Sequence, residues 1–178
     1  DGWSHSYSAR LEVSALDVGA RPNVGRAWLY RPDGVVYQFA AQGANYVADA
    51  DVNDRLTRLV DAGGLTTGWT YYVADTEDVE VYDNLGNLLT ITKRNGDVVT
   101  FVYSDALTPT TQAPRAGLLI GVHDALGRSI ALFYDALERV ETVLDPAGTP
   151  FEMVYDTVDN LVAVNFPGLN AAGQPSIR

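Results

Sequence analysis

Val81-Tyr-Asp-Asn-Leu-Gly-Asn-Leu-Leu-Thr-Ile-Thr-Lys-Arg-Asn-Gly-Asp-Val-Val-Thr-Phe-Val-Tyr103 reads as a turn, a strand, a tight turn and a second strand. Asp83 holds the first turn position, where its carboxylate accepts from nearby amides, and Gly86 the fourth, where positive φ is tolerated. Asn95-Gly96 then joins two runs rich in β-branched residues, the strongest short-range signal for a hairpin. A two-residue loop there sets Arg94 opposite Asp97, Thr92 opposite Val99 and Leu88 opposite Tyr103. Strict alternation then gives Leu89, Ile91, Val98 and Val102 one face, and Leu88, Thr90, Val99, Phe101 and Tyr103 the other. Neither face is cleanly polar, so the ribbon is expected to be covered on both sides.

The same unit recurs downstream. Aspartates that open turns fall at Asp83, Asp105, Asp124, Asp135, Asp145 and Asp156, with the Asn95-Gly96 turn between the first two, so that outside one longer gap a turn comes about every 10 or 11 residues. Gly127 and Gly148 take the fourth turn position as Gly86 does. Tyr-Asp stands at Tyr82-Asp83, Tyr134-Asp135 and Tyr155-Asp156, with Tyr103-Ser104 in a fourth slot. Tyr82 to Tyr103 and Tyr134 to Tyr155 are both 21 residues, whereas Tyr103 to Tyr134 is 31, one period plus an insertion. Thr108 to Gly117, with its Thr, Pro, Gln and Gly, has the composition of that inserted loop. A fixed period of hairpins means a repeat array that buries its core only by stacking neighbours.

These motifs resemble the YD repeats of the RHS (rearrangement hot spot) family: Tyr82-Asp-x-x-Gly-Asn-Leu-Leu-Thr-Ile-Thr92, Asp124-Ala-Leu-Gly-Arg-Ser-Ile130, Asp145-Pro-Ala-Gly148 and Tyr155-Asp-x-x-x-Asn-Leu-Val-Ala-Val164. Gly2-Trp-Ser-His-Ser-Tyr7, followed by Arg31-Pro-Asp-Gly34, is similar to the start of an RHS core. Ser104 departs from the pattern, as do Glu138 and Asp159 at positions where a turn glycine is common. The resemblance implies an all-β fold of consecutive antiparallel hairpins in a curved sheet, a segment of a β-shell. It divides the chain into opening strands (1–78), repeat hairpins (79–168, with the insertion at 108–117) and a tail (169–178), expected to form one continuous unit.

Composition sets the outer bounds. At 178 residues, 47% of them hydrophobic, the chain can bury a core as one domain. A net charge of −11 disfavours nucleic acid or an anionic membrane as partner, since both demand clustered cations. With no cysteine there is neither a disulfide framework nor a thiolate metal site. Apolar runs such as Gly117 to Val122 fall far short of a membrane span, so no membrane insertion is expected. Because residue 1 is not Met and the motif begins almost at once, the sequence is expected to be a piece of something longer.

Tyr7 to Val13 alternates as a strand, Ala20 to Gly25 reads as a turn, and Ala27–Tyr30 and Val35–Phe39 form a hairpin across Arg31-Pro-Asp-Gly34. Residues 50–62 carry two readings. Val52, Leu56, Leu59 and Val60 lie at helical spacing between a capping Asp51 and a stop at Gly63-Gly64, whereas the family resemblance implies strand and loop. At most one short helix is expected, and only here.

Candidate chemistry is thin. Asp49-Ala-Asp51-Val-Asn53-Asp54 opens like a calcium loop, but Asp54 and Val60 stand where that loop needs Gly and a bidentate Glu. His5 and His123 are the only histidines, and their neighbours Ser4, Ser6 and Asp124 would point to the opposite face of a strand. Acidic pairs such as Glu77/Asp78 and Glu138/Glu141 are unremarkable among 23 acids. Trp3, Trp28, Trp69 and ten tyrosines could form a sugar- or peptide-binding strip, or be cross-strand packing units. No cofactor motif is present. Asp145-Pro-Ala-Gly148 is similar to part of the family's self-cleavage motif yet equally serves as a repeat turn, and no catalytic role is carried onto it.

Two functions follow. The first, implied by the resemblance, is a non-catalytic wall segment of a YD-repeat shell that encloses a C-terminal toxin or effector; its partners are the rest of the shell and its cargo. Export, surface display or delivery by a bacterial secretion system accompanies that reading. The second is a self-contained extracellular module gripping glycan or a cell-surface protein through an aromatic β-face. In the first case, the apolar strand Leu161–Phe166 should end the array frayed, capped by residues 168–178, or paired with another molecule.

Overall fold

The computed structural model describes residues 7–14, 25–42, 45–48, 50–169 and 175–177. The Gly2–Ser6 part of the opening motif (with His5), most of the turn at residues 20–25, and Asp49 lie outside the described residues. Close packing groups the chain into two units, residues 4–99 and 100–178. The first holds β1 (Arg10–Val13), β2 (Arg26–Tyr30), β3 (Val36–Gln42), β4 (Asn45–Val47), β5 (Arg55–Val60), β6 (Thr66–Val73), β7 (Asp78–Asp83) and β8 (Leu88–Thr92). The second takes most of β9 (Val98–Tyr103), then β10 (Leu119–His123), β11 (Ser129–Tyr134), β12 (Val140–Leu144), β13 (Pro150–Tyr155), β14 (Leu161–Leu169) and β15 (Pro175–Ile177). Strand order equals chain order, and neighbouring strands within β1–β8 and within β9–β15 pair antiparallel. Residues 50–62 form no helix. Arg55–Val60 is strand β5, in which Leu56 is buried while Leu59 and Val60 are exposed, so the helical spacing does not mark a common face.

One turn geometry recurs. In the turns beginning at Arg31, Asp61, Asp83, Lys93, Asp124, Asp135, Asp145 and Asp156, the first amide donates to the fifth carbonyl and the fourth amide to the first carbonyl. The fourth residue has positive φ, as in Gly86 (86°), Gly96 (90°) and Gly127 (80°). This corrects the two-residue loop read from Asn95-Gly96. Lys93 N donates to Asp97 O and Gly96 N to Lys93 O, so the loop has three residues and Lys93, not Arg94, stands opposite Asp97. The glycine is needed one position later than a two-residue turn would demand, closing a type I turn with a left-handed residue.

From β5 onward, a bulge follows each connection that leads from an odd to an even strand. Tyr82 pairs with Leu88 and Val81 with Thr90, which leaves Leu89 extra. The same shift leaves Thr67, Ile120, Glu141 and Val162 extra in β6, β10, β12 and β14. An inserted residue bends its strand and increases the local twist, so in each unit the bulges curve the sheet from one edge. The strict alternation of β8 is overturned by the same fact: Leu88 opposite Tyr82 and Ile91 opposite Glu80 share one face.

In the first unit the curl carries β1 back to the β7–β8 turn. Leu11 N donates to Gly86 O at 3.0 Å, and an isolated bridge joins Arg10 to Asn87; among the described residues no ladder closes the sheet. Leu11, Leu29, Phe39, Leu56, Trp69, Tyr71, Tyr82 and Leu88 are almost wholly buried, forming the core this curl encloses. The second unit buries Phe101, Leu119, Val122, Leu132 and Val140. Beyond Val140 the same face continues through Phe151, Met153, Val164 and Phe166, all half-exposed. The Phe151 and Phe166 rings meet edge-on at 5.6 Å. Leu161–Phe166 is not a bare edge. Asn165 pairs with Ile177 and Phe166 with Ser176, so the tail caps part of β14.

Candidate functional site

Each turn aspartate is a clamp. Asp83, Asp124, Asp135, Asp145 and Asp156 each accept, on one carboxylate oxygen, the amides two and four residues on, at 2.8–2.9 Å. Such bonds favour the ionised form. The backbone amide of Arg128 lowers the Asp124 carboxyl, that of Thr149 lowers Asp145, and the Asn160 side chain lowers Asp156. For Asp135, partial burial pushes upward and is outweighed by the hydrogen bonds of Arg139. With folded values below unfolded ones, this stabilisation is fully present above the ordinary carboxylate range near pH ~4 and is lost as pH falls through the lowered values. Thermal melts should therefore hold their midpoint from pH 7 to about 5 and fall steeply below ~4. A flat profile down to pH ~2.5 would contradict the clamp.

The tyrosines have a matching task. Tyr134 Oη donates to Leu119 O at 2.8 Å and Tyr155 Oη to Val140 O at 2.7 Å, the same 15-residue step back. Leu119 and Val140 immediately precede the bulged Ile120 and Glu141, so each hydroxyl caps a carbonyl where the ladder is disrupted. Burial pushes the Tyr134 phenol up to about 12. Its contribution is complete below the ordinary tyrosine value and disappears as pH rises through about 12. Tyr134→Phe and Tyr155→Phe should each cost about 1–2 kcal/mol in urea unfolding, since each leaves a half-buried carbonyl without its donor. Neutral outcomes would reduce these tyrosines to packing units.

The departures from the motif are accommodated locally. Glu138 and Asp159 adopt φ of 64° and 67° where glycine is usual. Each meets an arginine from the preceding turn on that edge: Arg115 Nε to Glu138 at 2.8 Å, and Arg139 Nη1 to Asp159 at 2.7 Å. Ser104, in place of the aspartate, ties the neck of the insertion, its hydroxyl donating to Arg115 O at 2.8 Å and accepting from Leu118 N at 2.9 Å. Asp105 takes over the capping, accepting from Leu107 N and Thr108 N.

The first unit holds a buried polar group that sequence reasoning missed. Glu80, 3% exposed, accepts from Arg31 Nη1 through both oxygens at 2.9 and 2.7 Å, and from Tyr82 Oη at 2.5 Å. The Arg31 guanidinium also lies 5.5 Å from the Tyr71 ring centroid, and Tyr71 Oη donates to Asp54. Burial, with Glu80 and Asp54 nearby, raises both phenols well above their ordinary value. Burial alone would lower the Arg31 value; its bonds to Glu80 reverse the sign and hold it charged. Residues 49 apart in sequence meet only because the sheet curls, and no local pattern announces the pair.

The chemical candidates are dispersed. Glu77 pairs with Arg94, Asp78 with Lys93 and Glu138 with Arg115. Asp54 is a structural acceptor, bound by Tyr71 and by Ala74 N at 2.8 Å. His123 stands in β10 opposite Ser129 and Thr100. Among the described residues no three His, Asp or Glu side chains group as metal ligands. Trp69, Tyr71 and Tyr82 lie in the core, with Tyr46 and Trp69 edge-on at 4.9 Å, so they form no open aromatic strip.

Turn clamp, bulge and tyrosine strut, repeated in register along a curved antiparallel sheet, define a β-hairpin repeat protein. Residues 115–150 match the family model described as RHS Repeat. No curated protein sequence matches it. Among solved structures it is similar to "TcdB2-TccC3 without hypervariable C-terminal region", at 13% identity and a TM-score of 0.39. That match covers 86% of this chain and only 10% of the other, so this chain spans about a tenth of its length.

Proposed function

We propose that this chain is a non-catalytic wall segment of a YD-repeat shell enclosing a C-terminal toxin or effector, in a protein exported or delivered by a bacterial secretion system. The observation that carries the reading is the strand face at β12–β14: its apolar side chains continue the buried row of β9–β11 but remain half-exposed. Such a face is suited to cover by further hairpins or by an enclosed chain. The self-contained aromatic module loses part of its support, because Tyr46, Trp69, Tyr71 and Tyr82 are core residues. Expression of the whole reading frame tests encapsulation. Its C-terminal segment should survive a protease that rapidly digests the same segment produced alone. Equal rates of digestion would refute enclosure.

A further inference from the structure

The turns that open on aspartate share one device: the first residue's carboxylate takes the fifth residue's amide, as Asp61 takes that of Leu65 and Asp83 that of Asn87. The turns that open on Arg31 and Lys93 lack that acceptor, and their third residue supplies it instead. Asp33 Oδ1 accepts from Val35 N, and Asn95 Oδ1 from Asp97 N, each at 3.0 Å. In both turns the next residue is a glycine at positive φ, Gly34 or Gly96, with open space where a Cβ would stand. The substitute clamp therefore folds a side-chain carbonyl over a peptide nitrogen that no side chain shields. At Asn95 that carbonyl belongs to a carboxamide, and no other asparagine of the sequence is followed by glycine. Residues 93–97 are all exposed, so water and hydroxide reach the bond. The Asp97 amide polarises the carboxamide through its oxygen, while Asn95 Nδ2 donates to Asp97 Oδ2 at 2.8 Å. Only the bond from Gly96 N to Lys93 O, 2.8 Å, holds the attacking nitrogen back, and hydrogen bonds at exposed turn tips open readily.

We propose that Asn95 is a self-modification site, converted to aspartate and isoaspartate by the chain's own backbone. Gly96 N attacks Asn95 Cγ; the new N–Cγ bond closes a succinimide, the Cγ–Nδ2 bond breaks, and the amide proton leaves with Nδ2 as ammonia. Water then adds to either ring carbonyl and opens the ring to the aspartyl or the isoaspartyl form. Neither step needs an oxidant, a reductant or a cofactor. Asp33 is the built-in reference, since its carboxyl group must expel water to reach the same ring, the slower reaction. The isoaspartyl product puts an extra methylene into the backbone, so the turn cannot keep both the Lys93 N to Asp97 O and the Gly96 N to Lys93 O bonds. The aspartyl product sets a second carboxylate beside Asp97.

Peptide mapping by mass spectrometry, with fragmentation that separates the two isomers, tests this on the folded chain held in mildly alkaline buffer. Asn95 should be the first asparagine converted, to both isomers. The exposed Asn84 and Asn160, each followed by leucine, should lag at least about tenfold, a small difference in barrier being enough for that. Gly96→Ala should slow conversion by a similar factor, because a methyl group crowds the attacking nitrogen. That substitution also strains the turn, so the comparison is repeated in urea, where the slowing should persist. Asn95→Gln, which closes the five-membered ring no longer, should abolish early ammonia release in either state. The proposal fails if Asn95 stays intact while other asparagines convert, if aspartate forms without isoaspartate, or if Gly96→Ala converts at an unchanged rate in urea.

Discussion

Replacing Glu80 with alanine should destabilise the chain by about 3 kcal/mol or more, because removing one partner of a buried ion pair strands the other. Arg31 would lose the carboxylate that its Nη1 bonds twice, and Tyr82 its acceptor, inside the core beside Tyr71. The Arg31 side chain retains 21% exposure, which lets water relieve part of the cost and sets the estimate at the lower end of the usual range. Urea unfolding followed by tryptophan fluorescence is a suitable readout, since Trp69 lies in the same core. An apolar double replacement, Arg31→Met with Glu80→Leu, should recover most of the loss, because neither desolvated charge remains. A change below about 0.5 kcal/mol in Glu80→Ala would mean that the pair does not hold the curl.

Gly86→Ala should cost roughly 3 kcal/mol, well above the same change at Gly96. Both glycines have strongly positive φ, so each substitution meets the left-handed penalty of about 1–2 kcal/mol. At Gly96 a Cβ would find nothing within 4 Å, whereas at Gly86 it would fall 1.7 Å from Leu11 O. The turn and β1 must then separate, and the Leu11–Gly86 hydrogen bond is lost with the contact. Equal costs at the two positions would show that β1 does not seat against this turn. The pair of substitutions thus separates backbone conformation from docking.

The turn aspartates, the 21-residue period and the insertion were legible because they are local and recurrent. The bulges were not, because period-2 alternation was assumed along every strand. Their trace is present nonetheless. Leu88/Ile91, Leu119/Val122, Val140/Val143 and Leu161/Val164 are apolar pairs three apart, a spacing that brings both side chains to one face only when one residue between them is extra. The alternating turn intervals of 10 and 11 carry the same information, the shorter interval holding the bulged strand. Arg31 and Glu80 could not be paired in advance, since their contact depends on the accumulated curvature of the strands between them. The spacing of Val52, Leu56, Leu59 and Val60 suggested a helix because four apolar residues suffice to imitate one; cross-strand pairing decided for β5.

The central claim is that the repeat sheet of this chain is completed by further covering structure on its β12–β14 face. Hydrogen exchange, compared between this chain alone and the product of its whole reading frame, tests it most directly. Amides of β5–β8 should be equally protected in both, because their core is already closed around Trp69, Tyr71 and Tyr82. Amides of β13 and β14, which carry Phe151, Met153, Val164 and Phe166, should exchange markedly more slowly in the longer protein. Identical protection of β13 and β14 in both would contradict the claim and leave the chain a self-sufficient module.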